Sequence, residues 1–341
     1  MNKIERVKAA LSKDEVDRPP FSFWYHFGLQ HMPGRTHAEA EIDFYRAYDL
    51  DFVKVMNDYP YPLPAGLESL ETEDDWKRIE PITGDAPCWN EQLKALSLIN
   101  SAIGKEALFI DTIFSPWTTA RRLARHGGLD DARARFPQTV LSAMDAIATS
   151  LSNYARAVVT TGAAGIFLSL GAATSDVLTQ EEYNTWCRPF DLKVLNAVRD
   201  SIFNVLHIHG RNIYFDLVVD YPATALNWSH FLTPPTLKEG WIRSNRAVLG
   251  GIDETAASHF SPRQISDQIH SSIAEMGSNG AAEEESPGTG RKHPAPRESA
   301  TPVKELKGLI IAPGCSISTD TPERNMRAVK SVLESLQTPL G

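Results

Sequence analysis

Gly165-Ile166-Phe167-Leu168-Ser169-Leu170, a helical pattern running from Thr179 to Val198, and Phe203-Asn204-Val205-Leu206-His207-Ile208 set out one strand-helix-strand unit. The two apolar runs have strand length, and the segment between them carries apolar residues at helical spacing behind a Thr179 cap with Glu181 and Glu182 in its first turn. The same alternation recurs on both sides. Phe21 to Tyr25, Phe52 to Met56 and Leu108 to Ile113 precede this unit, and Ala225 to Trp228, Val248 to Ile252 and Gly308 to Ile311 follow it. Eight strand candidates separated by helical patterns predict a (β/α)8 TIM barrel, a single α/β domain over 1–341.

Other helix starts fall where the alternation needs them. Thr36 precedes an apolar face at Ile42, Tyr45 and Tyr48; Ser261-Pro262 opens a helix towards Met276; Thr321-Pro322-Glu323 opens the last one. The longest helix is predicted from Pro137 to Val159. One stretch breaks the rhythm. Residues 278–307 contain Val303 and Leu306 as the only large aliphatic side chains among Gly, Pro, Ser and mixed charge, so they cannot offset their ordering entropy. They read as a disordered insertion before the last strand, on the face opposite the active-site mouth.

Composition narrows the function. With 42% hydrophobic and 23% charged residues the 341-residue chain has the balance of a soluble globular protein. No run approaches the roughly 18 apolar residues of a transmembrane helix, so no membrane partner is expected. A net charge of −9 argues against nucleic acid. Met1 to Arg6 is charged without an apolar segment behind it, unlike a secretory signal, and a cytoplasmic location is expected. Cys88, Cys187 and Cys315 are too few and scattered for a disulfide framework. What is left is an enzyme or binding protein acting on a small molecule, with its oligomeric state open.

In such a barrel the reactive groups sit at the C-terminal ends of the strands. Those ends carry His26, Asn57 and Asp58, Asp111 and Ser115, Ser169, His207 and His209, Asn227 and Trp228, Asp253, and Cys315. Leu206-His207-Ile208-His209-Gly210 is the sharpest of them. Residues two apart on a strand point to one side, so both imidazoles can face the mouth. Two His and the Cys315 thiolate would leave a fourth zinc position open, as catalytic zinc requires. The fifth and eighth strands are not neighbours, so the loop bearing Cys315 would have to reach inward. The alternative is a set of satisfied polar residues at strand ends. Gly127-Gly128 and Gly250-Gly251 lack the spacing of a nucleotide loop. Phe21 to Phe27 reads as core and cleft wall.

Several of these pieces together resemble the uroporphyrinogen decarboxylase superfamily. They are Arg6-Val7-Lys8-Ala9-Ala10-Leu11 with Val16-Asp17-Arg18-Pro19-Pro20, Thr112-Ile113-Phe114-Ser115-Pro116-Trp117, the His207 to Gly210 segment, Gly250-Gly251-Ile252-Asp253, and Ala312-Pro313-Gly314-Cys315. The resemblance implies a (β/α)8 barrel and one of two chemistries. The decarboxylases use first-loop arginines for the substrate's carboxylates and an aspartate after the second strand. Here that loop, Trp24 to His31, has no arginine before Arg35, while Asp58 matches the aspartate. The cobamide-dependent methyltransferases hold zinc with His-x-Cys and a distant Cys; this chain has His207, His209 and Cys315.

The expectation is therefore zinc-assisted methyl (one-carbon) transfer to a thiol. His207, His209 and Cys315 would be metal ligands for Zn2+; Asp58, His26 and Asp253 catalytic; Tyr25, Asn57, Ser115 and Trp228 substrate-binding. The methyl donor would be corrinoid-bound, with a corrinoid protein as partner. The alternative is a lyase of porphyrin biosynthesis, carrying out cofactor-independent decarboxylation of uroporphyrinogen III or a related carboxylate, with Asp58 stabilising the intermediate. A ligand-binding barrel without turnover is the third reading.

Overall fold

Alternation with a period of two sorts the side chains of every strand into an inner and an outer set, and the sheet curls around the inner one. The computed structural model describes residues 1–124, 127–277 and 306–336. Seven strands, β1 (Phe52–Val55), β2 (Leu108–Phe114), β3 (Ile166–Leu170), β4 (Val205–Ile208), β5 (Ala225–Trp228), β6 (Ala247–Ile252) and β7 (Leu309–Pro313), form one parallel sheet in chain order. Phe52, Ile110, Phe167, Val205, Ala225, Leu249 and Ile310 pack with one another inside the curl. Val53, Phe109, Leu168, Leu206, Leu226, Val248 and Ile311 point outward to the helices. The N-terminal helix, Lys3–Ser12, adds Val7 and Ala10 to the inner set, and Val16 follows just beyond it. Among the described residues no helix is long and apolar enough to cross a membrane.

The first of the eight expected strands, Phe21 to Tyr25, does not form, so the sheet has seven. Phe21 makes only a parallel bridge with Ile311. Side chains and a proline take the place of ladder bonds here. Pro20 has no N–H to give; the Phe21 N–H donates to the Asp51 carboxylate at 2.9 Å instead of to a strand, and Ser22 Oγ donates to the Phe52 carbonyl at 2.8 Å. Three backbone bonds still reach both edges of the sheet. Ile311 N–H donates to Pro20 O and Ser22 N–H to Ile311 O on the β7 side; Asp51 N–H donates to Phe21 O just before β1. The segment 20–22 thus occupies the gap between the first and last strands without being a strand.

Four buried charges hold that segment. Arg6 donates to both oxygens of Asp17 at 2.7 Å and to Asp51 at 2.7 Å, while Arg18 donates to both oxygens of Asp51. All four side chains are nearly inaccessible. Burial opposes ionisation of Asp17, but the Arg6 guanidinium and the terminal ammonium outweigh it and hold its pKa well below the carboxylate range.

The helical pattern from Thr179 also differs from expectation. It forms two helices, Gln180–Trp186 and Arg188–Asn196, broken at Cys187 because Pro189 cannot supply an N–H to continue the first. The helix Pro137–Thr160 runs as predicted. Of the 278–307 insertion, residues 278–305 lie outside the described residues.

Removing one member of the buried quartet leaves an uncompensated charge. Asp51→Ala is expected to lower unfolding free energy by about 3–5 kcal/mol, read from urea denaturation. Asp17 has a folded pKa below its unfolded value of about 3.9, so its contribution is complete above that pH and is lost as pH falls below it. Asp17→Asn should flatten the stability profile below about pH 4, measured by urea denaturation across pH.

Candidate active site

β4 carries Val205 and His207 on its inner face, and the alternation continues past the strand end to His209. The ligand atoms of His207, His209 and Cys315 all lie within 4.8 Å of one another. Cys315 Sγ is 3.6 Å from His209 Nδ1, and the two imidazole centroids are 5.7 Å apart. Cys315 reaches this position because Gly314 lets the loop after β7 lie on the end of β5. A Cβ on Gly314 would lie 2.6 Å from Ser229 Cα and 2.7 Å from Glu254 Oε2. No larger residue fits there.

Asn227 organises the cluster. The register places it beside His207 across β4 and β5, on the inner face. Its Nδ2 donates to Leu249 O in β6 and Pro313 O in β7, both at 3.0 Å, so the amide orientation is settled by two carbonyls. Its Oδ1 must then accept, and the partner at 2.7 Å is His207 Nδ1. His207 Nδ1 carries the proton and Nε2 keeps a free lone pair. Burial, together with the neighbouring His209, pushes the His207 pKa down to about 3, so the ring is neutral at any working pH. Burial lowers His209 as well, assisted by Arg121, and burial raises the Cys315 thiol with Glu254 adding to it. Two neutral imidazoles and a soft sulfur, one imidazole oriented by an outer amide, fit zinc.

The other expected site residues scatter. His26 Nδ1 lies 2.7 Å from Asp58 Oδ1 at the mouth, with the imidazole half exposed. Asp58 also lines a small cleft with Phe27, His37 and Tyr59. Asn57 donates to Tyr154 Oη and accepts from Tyr59 N–H, so its amide is spent on the protein. Asp253 accepts from Thr255 and Ala256 N–H and holds its own loop. Ser115 Oγ accepts from Thr118 N–H at the start of the helix Pro116–Ala124. Tyr25 packs on Phe27 and Phe44. Trp228 is turned to the outer layer, fully buried against Phe215 and Gly240 with its Nε1 donating to Pro235 O. The period of two predicts this: if Asn227 faces inward, Trp228 faces outward.

The comparisons with known proteins agree with this architecture. The uroporphyrinogen decarboxylase (URO-D) family profile matches residues 59–283. The chain belongs to the uroporphyrinogen decarboxylase family. Among solved structures it is similar to a methyltransferase from Methanosarcina mazei, with a TM-score of 0.71 and 15% identity over 99% of this chain and 100% of that one. It is also similar to a putative vitamin-B12 independent methionine synthase from Listeria monocytogenes, with a TM-score of 0.56 and 12% identity over 89% and 87% of the two chains. At these identities the likeness is one of fold. No curated protein sequence matches it.

Two groups in this URO-D family fold, Lys54 and Glu254, were not among the sequence candidates, and a third, Asp111, was among them only as a strand end. Lys54 sits on the inner face of β1, buried, and its signal was a charged residue inside the apolar run Phe52 to Met56. Glu254 is buried beside Gly314; Ser229 Oγ donates to its Oε1, Oε2 has no partner among the described residues, and burial raises its pKa. Asp111, on the outer face of β2, accepts from Tyr154 Oη at 2.6 Å and Gln92 Nε2 at 2.8 Å; burial pushes its pKa up to about 6 against these bonds. Tyr154 and Gln92 come from distant helices, which no spacing in β2 reveals.

Asn227→Ala removes the acceptor that selects the His207 tautomer. Nitrogen chemical shifts of the metal-free protein should show His207 as the Nδ1-H form in the wild type and a mixture in the variant. Zinc affinity, measured by chelator competition, should fall about 10–100-fold.

Proposed function

We propose that this chain is an enzyme that transfers a methyl group to the thiol of a small molecule, with zinc held by His207, His209 and Cys315. The arrangement that carries this reading is the three ligand atoms within 4.8 Å together with the Asn227 amide that leaves His207 Nε2 free. Zinc bound there supplies a Lewis acid that favours the thiolate form of a thiol.

The chain's own residues do the rest. Asn227 keeps one imidazole in the metal-binding tautomer, and Gly314 keeps Cys315 within reach of it. We assign the proton of the incoming thiol to His26, whose Nδ1 is held by Asp58 at 2.7 Å so that Nε2 is its accepting atom. Asp253 fixes the loop after β6, and Tyr25, Asn57 and Ser115 shape the mouth rather than react. Trp228 backs β5 from outside. The methyl donor we assign is corrinoid-bound, delivered by a corrinoid protein. The first loop, Trp24 to His31, offers no arginine or lysine for a polycarboxylate.

Metal analysis of protein purified without added zinc is the direct test. One zinc per chain is expected in the wild type, with loss of zinc and a fall of more than about 100-fold in thiol methylation for His207→Ala and Cys315→Ala. A wild type that takes up no zinc overturns the reading. The family supplies a second one through Asp58: release of carbon dioxide from uroporphyrinogen III, abolished in Asp58→Asn and indifferent to chelators, would replace the first.

A further inference from the structure

Lys54 is a buried cation held by no direct ion pair among the described residues. Its Nζ lies 3.4 Å from Met56 Sδ, 4.6 Å from the Phe167 ring centroid and 5.6 Å from the Trp24 ring centroid. None of the described residues places a carboxylate within ion-pair distance of it. Thioether sulfur is a weak acceptor, and an aromatic face compensates an ammonium only in part. A methionine in the same position would pack with less desolvation cost, so packing alone does not account for a lysine there.

The neighbours indicate where. The Phe167 ring that faces Lys54 also stacks on the His207 imidazole, centroids 5.2 Å apart at 25°, so the ammonium is one ring away from the cluster. Cys315, Glu41, Asp58 and Asp111 are the surrounding groups that, when ionised, favour its charged form against burial. Burial lowers the Lys54 pKa to about 8, which leaves it charged at neutral pH. A divalent ion with two neutral imidazoles and one thiolate carries a net charge of +1, and the ammonium adds another.

We propose that Lys54 is the counter-charge for an anionic ligand at the open position of the His207, His209 and Cys315 cluster, so that this site selects anions over neutral ligands. The inference rests on the metal-holding reading above. Its test uses the full-length protein loaded with Co2+ and two probes followed by visible absorption, azide as the anion and imidazole as the neutral ligand. In Lys54→Met the azide dissociation constant should rise about tenfold or more, imidazole binding should stay within about twofold, and Lys54→Arg should restore most of the azide affinity. Equal weakening of both ligands, or azide affinity unchanged, overturns the proposal, and Lys54→Gln replaces Lys54→Met in the same titrations if that variant fails to fold. Absence of any cobalt spectrum in the wild type overturns the metal reading and this inference with it; a spectrum with unchanged azide affinity overturns this inference alone.

Discussion

Asp51 is the residue on which the ring depends. It receives Arg6, Arg18 and the Phe21 N–H on its two oxygens, and it gives its own N–H to Phe21 O. One carboxylate therefore ties the N-terminal helix, the segment between the edge strands and the start of β1. The cost of burying it is offset by two guanidinium groups with matching geometry, and Arg6 is in turn shared with Asp17. Because Phe21 to Ser22 bond to β7 as well, the contacts at Asp51 tie the last strand to the first through this segment. Cys315 hangs from the end of β7, so the position of the cluster follows from the same lock.

At the other end of the barrel a neutral amide does comparable work. Asn227 bonds to β4, β6 and β7 from β5, and its four-strand reach is available only on the inner face. Fixing the amide by two carbonyls converts a flexible side chain into a rigid acceptor, and this rigidity passes to His207 as a single tautomer. Gly314 after β7 leaves room for its loop to cross the end of β5, while Gly250 in β6 makes room for Leu237 and His230. The cluster thus depends on one small residue in the loop and one polar residue in the sheet.

Much of the architecture was legible in the chain. The seven strands that form lie within a residue or two of the apolar runs, since a parallel sheet covered on one face by helices and filled on the other reads as a short apolar segment whichever face is counted. The run Phe21 to Tyr25 was equally apolar, and it failed as a strand because Asp51 and Ser22 compete for its ladder positions. That competition comes from hydrogen bonds that each span 30 residues in sequence. The pair His207 and His209 was legible from spacing. Asn227 appeared as one polar strand end among many, and its neighbour Trp228 drew equal notice although it faces the other way. Lys54 went unread in an apolar run.

The sequence by itself determined the order of strands and helices, the family, and the residue types able to meet at the mouth, because these follow from periodicity and local motifs. Only the tertiary structure decided which of those residues meet. His209 and Cys315 lie 106 positions apart and touch because Gly314 lets one loop cross another. Lys54 becomes a buried cation without an ion-pair partner among the described residues only once the sheet curls around it. Contacts of this kind depend on the curvature and closure of the whole sheet, which no local pattern encodes.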